Sequence, residues 1–332
     1  MTAKGGIGLS SNKIMSLEEA VATFIHDGDS LTIGGCTTNR KPYALVREII
    51  RQGRKNLYLH GAASGGDADM LIGADCCTAY INSYCANSGY TNVSRRYRKY
   101  VEEGKILFED YSLDIHAALY HAAALGFPFI AVKHMLGSDL VNKIGISKEI
   151  RAEHPKLPPE KCHVGENPFK PGDQLCYIPV PDIDVALIHV QKASPDGTCR
   201  IEGAVFNDLD MALGARHVIV SCEEIVTEDA LRRDPGLNQI SCIIPDAIVE
   251  APYGAHPSQV YNYYDYDRAY LRYYDKVSRE DNDFETFLKE WVRDPADHYA
   301  YLEKLGVQRL ASLHVRQGLG FVAPPETRGG KT

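Results

Sequence analysis

The chain has 332 residues, of which 44% are hydrophobic and 24% charged, the balance of an ordinary globular protein. Its net charge of −8 argues against a nucleic acid as partner. No run of about eighteen apolar residues is present, and residues 1–12 lack the apolar core of a signal peptide, so we expect a cytoplasmic protein that does not contact a membrane. The nine cysteines show no metal-type spacing, so we predict reduced thiols and no metal site.

Short apolar strands alternate with helices through the first half of the chain. Ser16 and Glu19 form a capping box, which predicts a helix from there to about His26. Strands are predicted at 30–34, 56–60, 78–83, 105–109 and 127–132, and the helices between them at 42–52, 67–73, 94–103 and 112–124. This alternation predicts an α/β fold with an open, mainly parallel sheet and helices on both faces. The apolar run 127–132 is interpreted as a buried strand that closes this half.

The second half begins with a different composition. Residues 133–175 are rich in Pro, Lys, His and Gly, so we predict irregular structure there. Strands return at 185–189, 217–221 and 247–250, and a helical C-terminal extension is predicted over 265–305. No composition break marks a linker. We therefore predict a single domain over 13–321, between a disordered N-terminus over 1–12 and a flexible tail over 322–332.

One polar loop at the end of a strand is the clearest candidate for a binding site. The segment 27–42 ends its strand at Gly34 and Gly35. Glycine has no Cβ, so a ligand can approach the main chain closely, and ligands of open α/β sheets bind outside the carboxyl ends of the strands. Thr37 adds a hydroxyl group, and Arg40 adds a guanidinium suited to a carboxylate or phosphate.

Three further loops also follow predicted strands. They are Asn87-Ser88-Gly89, Gly137-Ser138-Asp139 and the segment 252–258, in which His256 or Ser258 could reach a ligand. Each has an alternative interpretation as a plain turn. Gly137 and Ser138 could present main-chain N–H groups to an oxyanion. The loops offer hydroxyls, amides and one arginine, but no nucleophile with its base, which suggests a half-site completed by another chain.

The segment 27–42 resembles the signature of the α subunits of family I CoA-transferases, which reads Asp-Gly, two residues, three apolar residues, Gly-Gly-Phe, three residues, Gly, one residue, Pro. Asp27-Gly28, Gly34-Gly35 and Pro42 match in register, whereas Thr32, Cys36 and Arg40 depart from it. The departures fit the glutaconate CoA-transferase branch, whose A subunits the segment 34–43 resembles. The same branch is resembled at 65–73, 86–96, 167–172, 193–198 and 251–258, so that the resemblance runs from about residue 15 to 320.

This resemblance implies the CoA-transferase type of open α/β fold and an enzyme that acts on a coenzyme A thioester as substrate, with no permanently bound cofactor. It implies an obligate B subunit whose glutamate attacks the thioester in a ping-pong mechanism, passing through a glutamyl-CoA thioester. CoA would move between a small acid such as acetate and a dicarboxylate such as glutaconate. Glu166 matches the partner's nucleophile motif only in part, because Pro168 stands where glycine is expected, so no catalytic nucleophile is predicted in this chain.

Roles for individual residues follow from loop position and chemistry. The predicted substrate-binding residues are Gly34, Gly35, Thr37, Arg40, Asn87, Ser88 and Arg95, with Arg96 as an alternative to Arg95. Gly137 and Ser138 are predicted to support an oxyanion. Seven tyrosines between 261 and 274 predict a surface on which another subunit packs, because tyrosine is enriched at interfaces.

Two other functions remain open at this point. The chain could be a subunit of an acyl-CoA hydrolase or decarboxylase of the same fold, in which case the partner would lack the nucleophilic glutamate. It could also be a non-catalytic acyl-CoA-binding module, although no appended DNA-binding motif of the kind that a sensor usually carries is visible.

Overall fold

The computed structural model describes residues 12–316 and residue 322. The predicted disordered start over 1–12 and flexible tail over 322–332 therefore lie, apart from Asn12 and Val322, outside the described residues. Within the described part of the chain, every helix is too short or too polar to cross a bilayer.

Eleven strands form two sheets in this part of the chain. They are β1 (Ser30–Ile33), β2 (Leu57–Ser64), β3 (Cys77–Cys85), β4 (Leu107–Asp110), β5 (Phe129–Val132), β6 (His163–Glu166), β7 (Gln174–Pro179), β8 (Ile183–Ala193), β9 (Cys199–Arg200), β10 (Ala215–Ile225) and β11 (Ala247–Glu250). Seven strands pair in parallel in the order β11-β10-β8-β1-β2-β3-β4, and the short β9 pairs antiparallel with β8. The predicted open, mainly parallel sheet is confirmed.

The helices lie between these strands and beyond the last of them. They are α1 (Leu17–Phe24), α2 (Tyr43–Arg51), α3 (Gly66–Gly73), α4 (Arg95–Glu102), α5 (Leu113–Leu125), α6 (Asp139–Asn142), α7 (Lys148–Glu153), α8 (Asp208–Gly214), α9 (Glu228–Arg232), α10 (Arg268–Val277), α11 (Asp281–Leu288), α12 (His298–Leu305) and α13 (Val307–Leu313). The capping box of Ser16 and Glu19 starts α1, as predicted. The helical C-terminal extension is confirmed as α10 to α13, with a π-helical turn at Lys289–Arg293 after α11.

Alternation along the central strands explains why helices cover both faces. Leu187 of β8 lies in one core with α1, α2, α3 and the C-terminal helices, whereas its neighbour Ile188 lies in a second core against α5 and α8. Successive side chains of a strand point to opposite faces, so a strand buried on both faces needs apolar residues at consecutive positions. The predicted apolar runs reflect this double burial.

The second sheet corrects two sequence-based predictions. The run 127–132 was predicted as a buried strand of the first half, but β5 pairs antiparallel with β7 in a separate sheet of order β5-β7-β6, and Phe129 is half exposed. The stretch 133–175 was predicted to be irregular, but it contains α6, α7, β6 and the start of β7. An apolar run shows that a strand is plausible without showing which strand it pairs with. Here the small sheet packs over β2, β3 and β4.

The strand order reverses at the centre of the large sheet. β1 pairs with β2 on one side, through Leu31 and Leu59, and with β8 on the other, through Leu31 and Val185. The chain proceeds from β1 toward β4 on one side and from β8 toward β11 on the other. Such a switch point opens a crevice at the carboxyl ends of the strands, where ligands of open α/β sheets bind.

Candidate active site at the carboxyl edge of the sheet

The loop after β1, residues 34–42, is fixed by a buried ion pair. Its Gly35 N–H donates to Asp208 Oδ1 at 2.6 Å, and the other oxygen of Asp208 lies 2.5 Å from Arg40 Nη1. Arg40 is only 3% exposed and also donates to the carbonyl oxygens of His189 and Ala204. The guanidinium that was predicted to bind substrate thus has protein partners, and its side chain forms part of the pocket wall.

The paired glycines are required by the packing of this loop itself. A Cβ at Gly34 would lie 2.7 Å from Asp208 Oδ1 and 2.9 Å from the side chain of Ile188. Gly35 has φ of +72°, and a Cβ there would collide with the main-chain oxygen of Asn39. Only glycine avoids both problems. The sequence suggested that a ligand would lie against these two glycines. In the structure, Asp208 and the main chain of the loop itself lie there.

The ends of β1, β2 and β3 converge on Asn87. Asn87 is buried and accepts a hydrogen bond from the Gly66 N–H at 2.8 Å, just where α3 begins. A Cβ at Gly65 would lie 2.6 Å from Asn87 Oδ1 and 2.9 Å from the carbonyl oxygen of Thr37. The structure thus brings together Thr37 and Asn87, two of the predicted site residues. A second buried ion pair, Lys41 Nζ to Asp67 Oδ2 at 3.1 Å, ties the loop after β1 to the start of α3.

The segment 252–259 packs against the same loop from the other side. The Arg40 N–H donates to the Gln259 carbonyl at 2.8 Å, and the Gln259 N–H donates to the Thr38 carbonyl at 3.1 Å. His256, which could have reached a ligand, is wholly buried instead, with Nδ1 bonded to Tyr301 and Nε2 to Asp267. The hydroxyl of Ser258 is buried and has no hydrogen-bond partner among the described residues.

The remaining predicted site residues have no hydrogen bond to this group of loops within the described chain. Ser88 is exposed and bonds to Tyr84, and Arg95 pairs with Asp275 of α10 at 2.8 Å. Gly137 and Ser138 lie in the loop after β5, a strand of the small sheet, and not, as the sequence suggested, at the same sheet edge as the other loops. The Ser138 hydroxyl donates to the Met135 carbonyl. Their roles toward a substrate stay predictions.

Two open cavities lie at the end of β8, one beside the loop after β1 and the other beside the end of β10. The first has a volume of about 270 Å³ and is lined by Asn39, Arg40, Gln191, Glu202, Gly203, Ala204, Phe206, Gln259 and Tyr261. The second, of about 410 Å³, is lined by Lys192, Glu202, Glu224, Asn262, Tyr263, His314 and Val315. Glu202 borders both cavities. Pockets of this size take small molecules or parts of larger ones.

Burial shifts two pKa values close to these loops. It raises the pKa of the Cys36 thiol above its usual range, so this thiol stays protonated and is a poor nucleophile at neutral pH. It also raises the pKa of Asp69 to about 6, against the opposing hydrogen bonds from the Tyr97 N–H and the Tyr274 hydroxyl. No three potential metal ligands come together anywhere in residues 12–316.

The comparison with known proteins gives the family of the chain. A family model described as "Coenzyme A transferase" matches residues 14–251. The chain belongs to the coenzyme A transferase family. Over 310 residues it is 54% identical to the A subunit of glutaconate CoA-transferase from Acidaminococcus fermentans, covering 93% of this chain and 97% of that protein.

Solved structures agree with this assignment. The structure of glutaconate coenzyme A-transferase from Acidaminococcus fermentans matches with a TM-score of 0.92, covering 93% of this chain and 98% of that one, at 54% identity. A variant of the decarboxylase AibA/AibB matches with a TM-score of 0.70 at 29% identity, covering 83% of this chain and 98% of that one. The coenzyme A transferase fold is thus shared with proteins of different described activity.

Sequence reasoning missed three residues that shape the candidate site. Asp208 follows Asn207 at the start of α8 and has no motif around it, although it holds both Gly35 and Arg40. Gln259 stands one residue beyond the motif at 251–258, which could have pointed to it. Glu202 lies on a loop after β9, without a local signal. These segments are distant in the chain, and the order of the strands in the sheet brings them to the loop after β1.

Proposed function

We propose that this coenzyme A transferase is the A subunit of a two-subunit enzyme that moves CoA between a small acid such as acetate and a dicarboxylate such as glutaconate. The relative from Acidaminococcus fermentans, named as the A subunit of a glutaconate CoA-transferase, supports glutaconate as one substrate and the need for a second subunit. One observation supports the view that the nucleophile lies in the second subunit. The carboxylates at the carboxyl edge of this sheet are paired with cations or hydrogen-bond donors of the same chain.

These carboxylates are all engaged by protein groups in the described structure. Asp67 pairs with Lys41, and Asp208 pairs with Arg40. Glu223 accepts from the Tyr264 hydroxyl at 2.6 Å and lies 2.7 Å from His189 Nε2. A carboxylate held by a buried cation or by several donors is a weak nucleophile, because attack would break those interactions. The reactive carboxylate is therefore assigned to the partner subunit.

Glu224 borders the larger cavity and accepts from the Tyr263 hydroxyl at 2.8 Å. Glu202 borders both cavities. One of its oxygens lies 3.2 Å from Lys192 Nζ, and the other accepts from Asn262 Nδ2 at 2.8 Å. Both oxygens are thus occupied, which favours a role in shaping the cavity over a role as nucleophile. Glu166 lies on the small sheet, where it accepts from the Gly172 N–H at 2.6 Å.

In the proposed reaction the partner's glutamate attacks the thioester carbonyl carbon. The C–S bond breaks, CoA departs as a thiolate, and an acyl-glutamyl anhydride is formed. The thiolate then attacks the glutamyl carbonyl carbon, releasing the first acid and forming a glutamyl-CoA thioester. A second carboxylate reverses these steps and leaves with CoA. Energy of the thioester is retained only if water is excluded. The loops after β1, β2 and β3 would supply the fixed wall that orients the acyl group and keeps water out.

Borohydride trapping tests this proposal. The chain is purified together with its partner subunit, incubated with glutaconyl-CoA, reduced with borohydride and analysed by peptide mass spectrometry. We expect the thioester to be trapped on a glutamate of the partner and this chain to stay unmodified. Modification of Glu202 would overturn the assignment of the nucleophile, and a Glu202→Gln variant that keeps its transfer rate would support the assignment. Absence of modification on both subunits would contradict a covalent CoA-transferase.

The decarboxylase of similar structure keeps a second function under consideration. Carbon dioxide release from a dicarboxylyl-CoA, measured on the same purified pair without an acceptor acid, separates the two. We expect CoA transfer that depends on the acceptor and no release of carbon dioxide. Acceptor-independent loss of carbon dioxide would favour the decarboxylase.

A further inference from the structure

Three residues with a left-handed backbone line the cavities, namely Arg40, Phe206 and Asn262. Seven non-glycine residues of the described chain have positive φ, namely Thr37, Arg40, Asn56, Asp75, Phe206, Tyr253 and Asn262. Asn56 and Asp75 lie in turns at the amino ends of β2 and β3, and Asn and Asp tolerate this conformation best. The other five lie in the loops at the carboxyl edge. Strained backbone conformations persist only where the surrounding structure enforces them, and they cluster at binding and catalytic sites.

Phe206 combines backbone strain with an exposed ring. Its φ is +55°, which is unfavourable for a bulky side chain, and the residue is 43% exposed at the rim of the 270 Å³ cavity. The ring lies 5.9 Å from the guanidinium carbon of Arg40. Val205 and Asp208 on either side both contact Arg40, so the buried ion pair holds the segment in this conformation. Folding alone gives no reason for a phenylalanine here, since glycine or asparagine would fit the backbone better.

Other residues in the lining of this cavity carry hydrogen-bond donors. The Asn39 amide donates once, to the Cys36 carbonyl, and the Gln259 amide donates once, to Asn39 Oδ1. Each amide nitrogen carries two hydrogens, so each keeps one N–H for a ligand. Tyr261 is 44% exposed and adds its hydroxyl to the same lining. The cavity lining therefore combines an apolar ring with three hydrogen-bond donors, beside the carboxylate of Glu202.

We propose that this cavity receives the acyl chain of the CoA ester, and that Phe206 determines acyl specificity. The ring of Phe206 packs against the carbon chain, while Asn39, Gln259 and Tyr261 donate hydrogen bonds to the polar far end of a short dicarboxylic acyl group. This assignment rests on the proposed CoA-transferase function. It adds the segment 203–206, which no motif singled out, to the substrate-binding surface.

Phe206→Gly tests the proposal, because glycine accepts the backbone conformation and removes only the ring. With the complete two-subunit enzyme, we expect the KM for glutaryl-CoA to rise about tenfold, as for the loss of a large hydrophobic contact, and the KM for acetyl-CoA to change less than about twofold. Tyr261→Phe is expected to raise the KM for glutaryl-CoA alone. The matched control is Asn56→Gly, which relieves the same φ at the far edge of the sheet and should leave both KM values unchanged.

The thermal midpoint of each variant and its binding to the partner are measured alongside. We expect Phe206→Gly to unfold close to the wild-type temperature, because relief of the positive φ offsets the larger entropy that glycine gives the unfolded chain, and to bind the partner normally. Wild-type KM values for both substrates in Phe206→Gly would overturn the proposal, as would weakened binding to the partner with unchanged KM, which would make Phe206 an interface residue. If the wild-type enzyme transfers no CoA, the proposed function itself fails, which is a different result.

Discussion

Gly35 shows at the scale of one residue how the loop after β1 is built. Its N–H reaches Asp208 because the backbone turns at positive φ, and a side chain would meet the main chain of Asn39. The sequence correctly singled out this glycine as special, since a Gly-Gly pair at the end of a strand predicts a tight turn. Which group approaches it could not be predicted, because Asp208 is distant in the chain.

Replacing Gly35 by alanine should therefore damage the site more than its φ alone would. We expect Gly35→Ala to lower stability by more than the about 1 kcal/mol that alanine costs at positive φ, and to lower CoA transfer at least about tenfold through displacement of the loop. Gly53→Ala is the matched control, because Gly53 has φ of +66° and open space around it. Urea unfolding and transfer rates check both variants. Equal stability losses would show that Asn39 moves aside freely.

Thr32 explains one departure from the family signature. It stands in the apolar triplet of β1, is fully buried, and donates to the Tyr120 hydroxyl at 2.9 Å, which in turn donates to the His60 carbonyl. A buried hydroxyl with partners on another element is compatible with a core. The sequence marked the position as unusual, but the partner on α5 becomes visible only in the folded chain.

The ion pair between Lys41 and Asp67 connects two elements, the loop after β1 and α3. Both side chains are buried, so removal of one partner leaves an uncompensated charge. We expect Lys41→Met alone to lower the free energy of unfolding by about 3–5 kcal/mol, and Lys41→Met with Asp67→Asn to recover most of it. Asn at 67 can still accept from the Gly65 N–H.

A double-mutant cycle by urea unfolding measures this coupling. The exposed pair of Arg98 and Glu102 on α4 is the matched control, because water screens an exposed ion pair and its removal should leave stability unchanged. Additive effects of Lys41→Met and Asp67→Asn would contradict the coupling. We further expect Lys41→Met alone to lose more transfer activity than Lys41→Met with Asp67→Asn. In the single variant the buried Asp67 carboxylate has no counter-ion, which would displace the loop after β1.

Most elements could be predicted, but their pairing could not. The strands β1 to β4 and the helices between them follow from local patterns of apolar residues, within a few residues at their ends. The pattern fails for β5, whose apolar residues pack in a second sheet, and for β6, a short strand with Gly165 and Glu166 that has no apolar run. The same reason limits what could be predicted of the candidate site. Its loops can be recognised from neighbouring residues, whereas Asp208 and Phe206 contact residues that are far away in the sequence.

Three buried histidines make the stability of the whole molecule depend on pH. Burial lowers the pKa of His60 to about 4 and those of His116 and His298 to about 3. In the unfolded chain they take up protons near pH 6.5, so protons favour the unfolded state below that pH. Each should cost about 1.4 kcal/mol of stability per pH unit as the pH falls from 6.5 toward 4. Asp69, with its raised pKa, opposes this loss in the same range because its folded state binds the proton more tightly.

Urea unfolding at pH 7 and pH 5 tests this dependence. We expect His298→Gln to flatten the loss between the two pH values by about the share of one histidine, since glutamine can still donate to the Pro252 carbonyl that His298 Nε2 contacts. His26→Gln is the control, because the His26 side chain is 65% exposed. A pH dependence that stays the same in His298→Gln would show that this imidazole is not kept neutral by the fold.

The central position of β1 also has a consequence for how the chain is made on the ribosome. β1 is paired on both sides only after Val185, the partner of Leu31 in β8, has been synthesised. Until then the nascent chain has an unpaired strand edge. Such edges recruit other unfinished chains, which makes early binding by a chaperone valuable. The loop after β1 is fixed later than β1 itself, because Arg40 has no counter-ion until Asp208 has been synthesised. The cavity that Arg40 lines is completed later still, because Gln259 and Tyr261 belong to its wall.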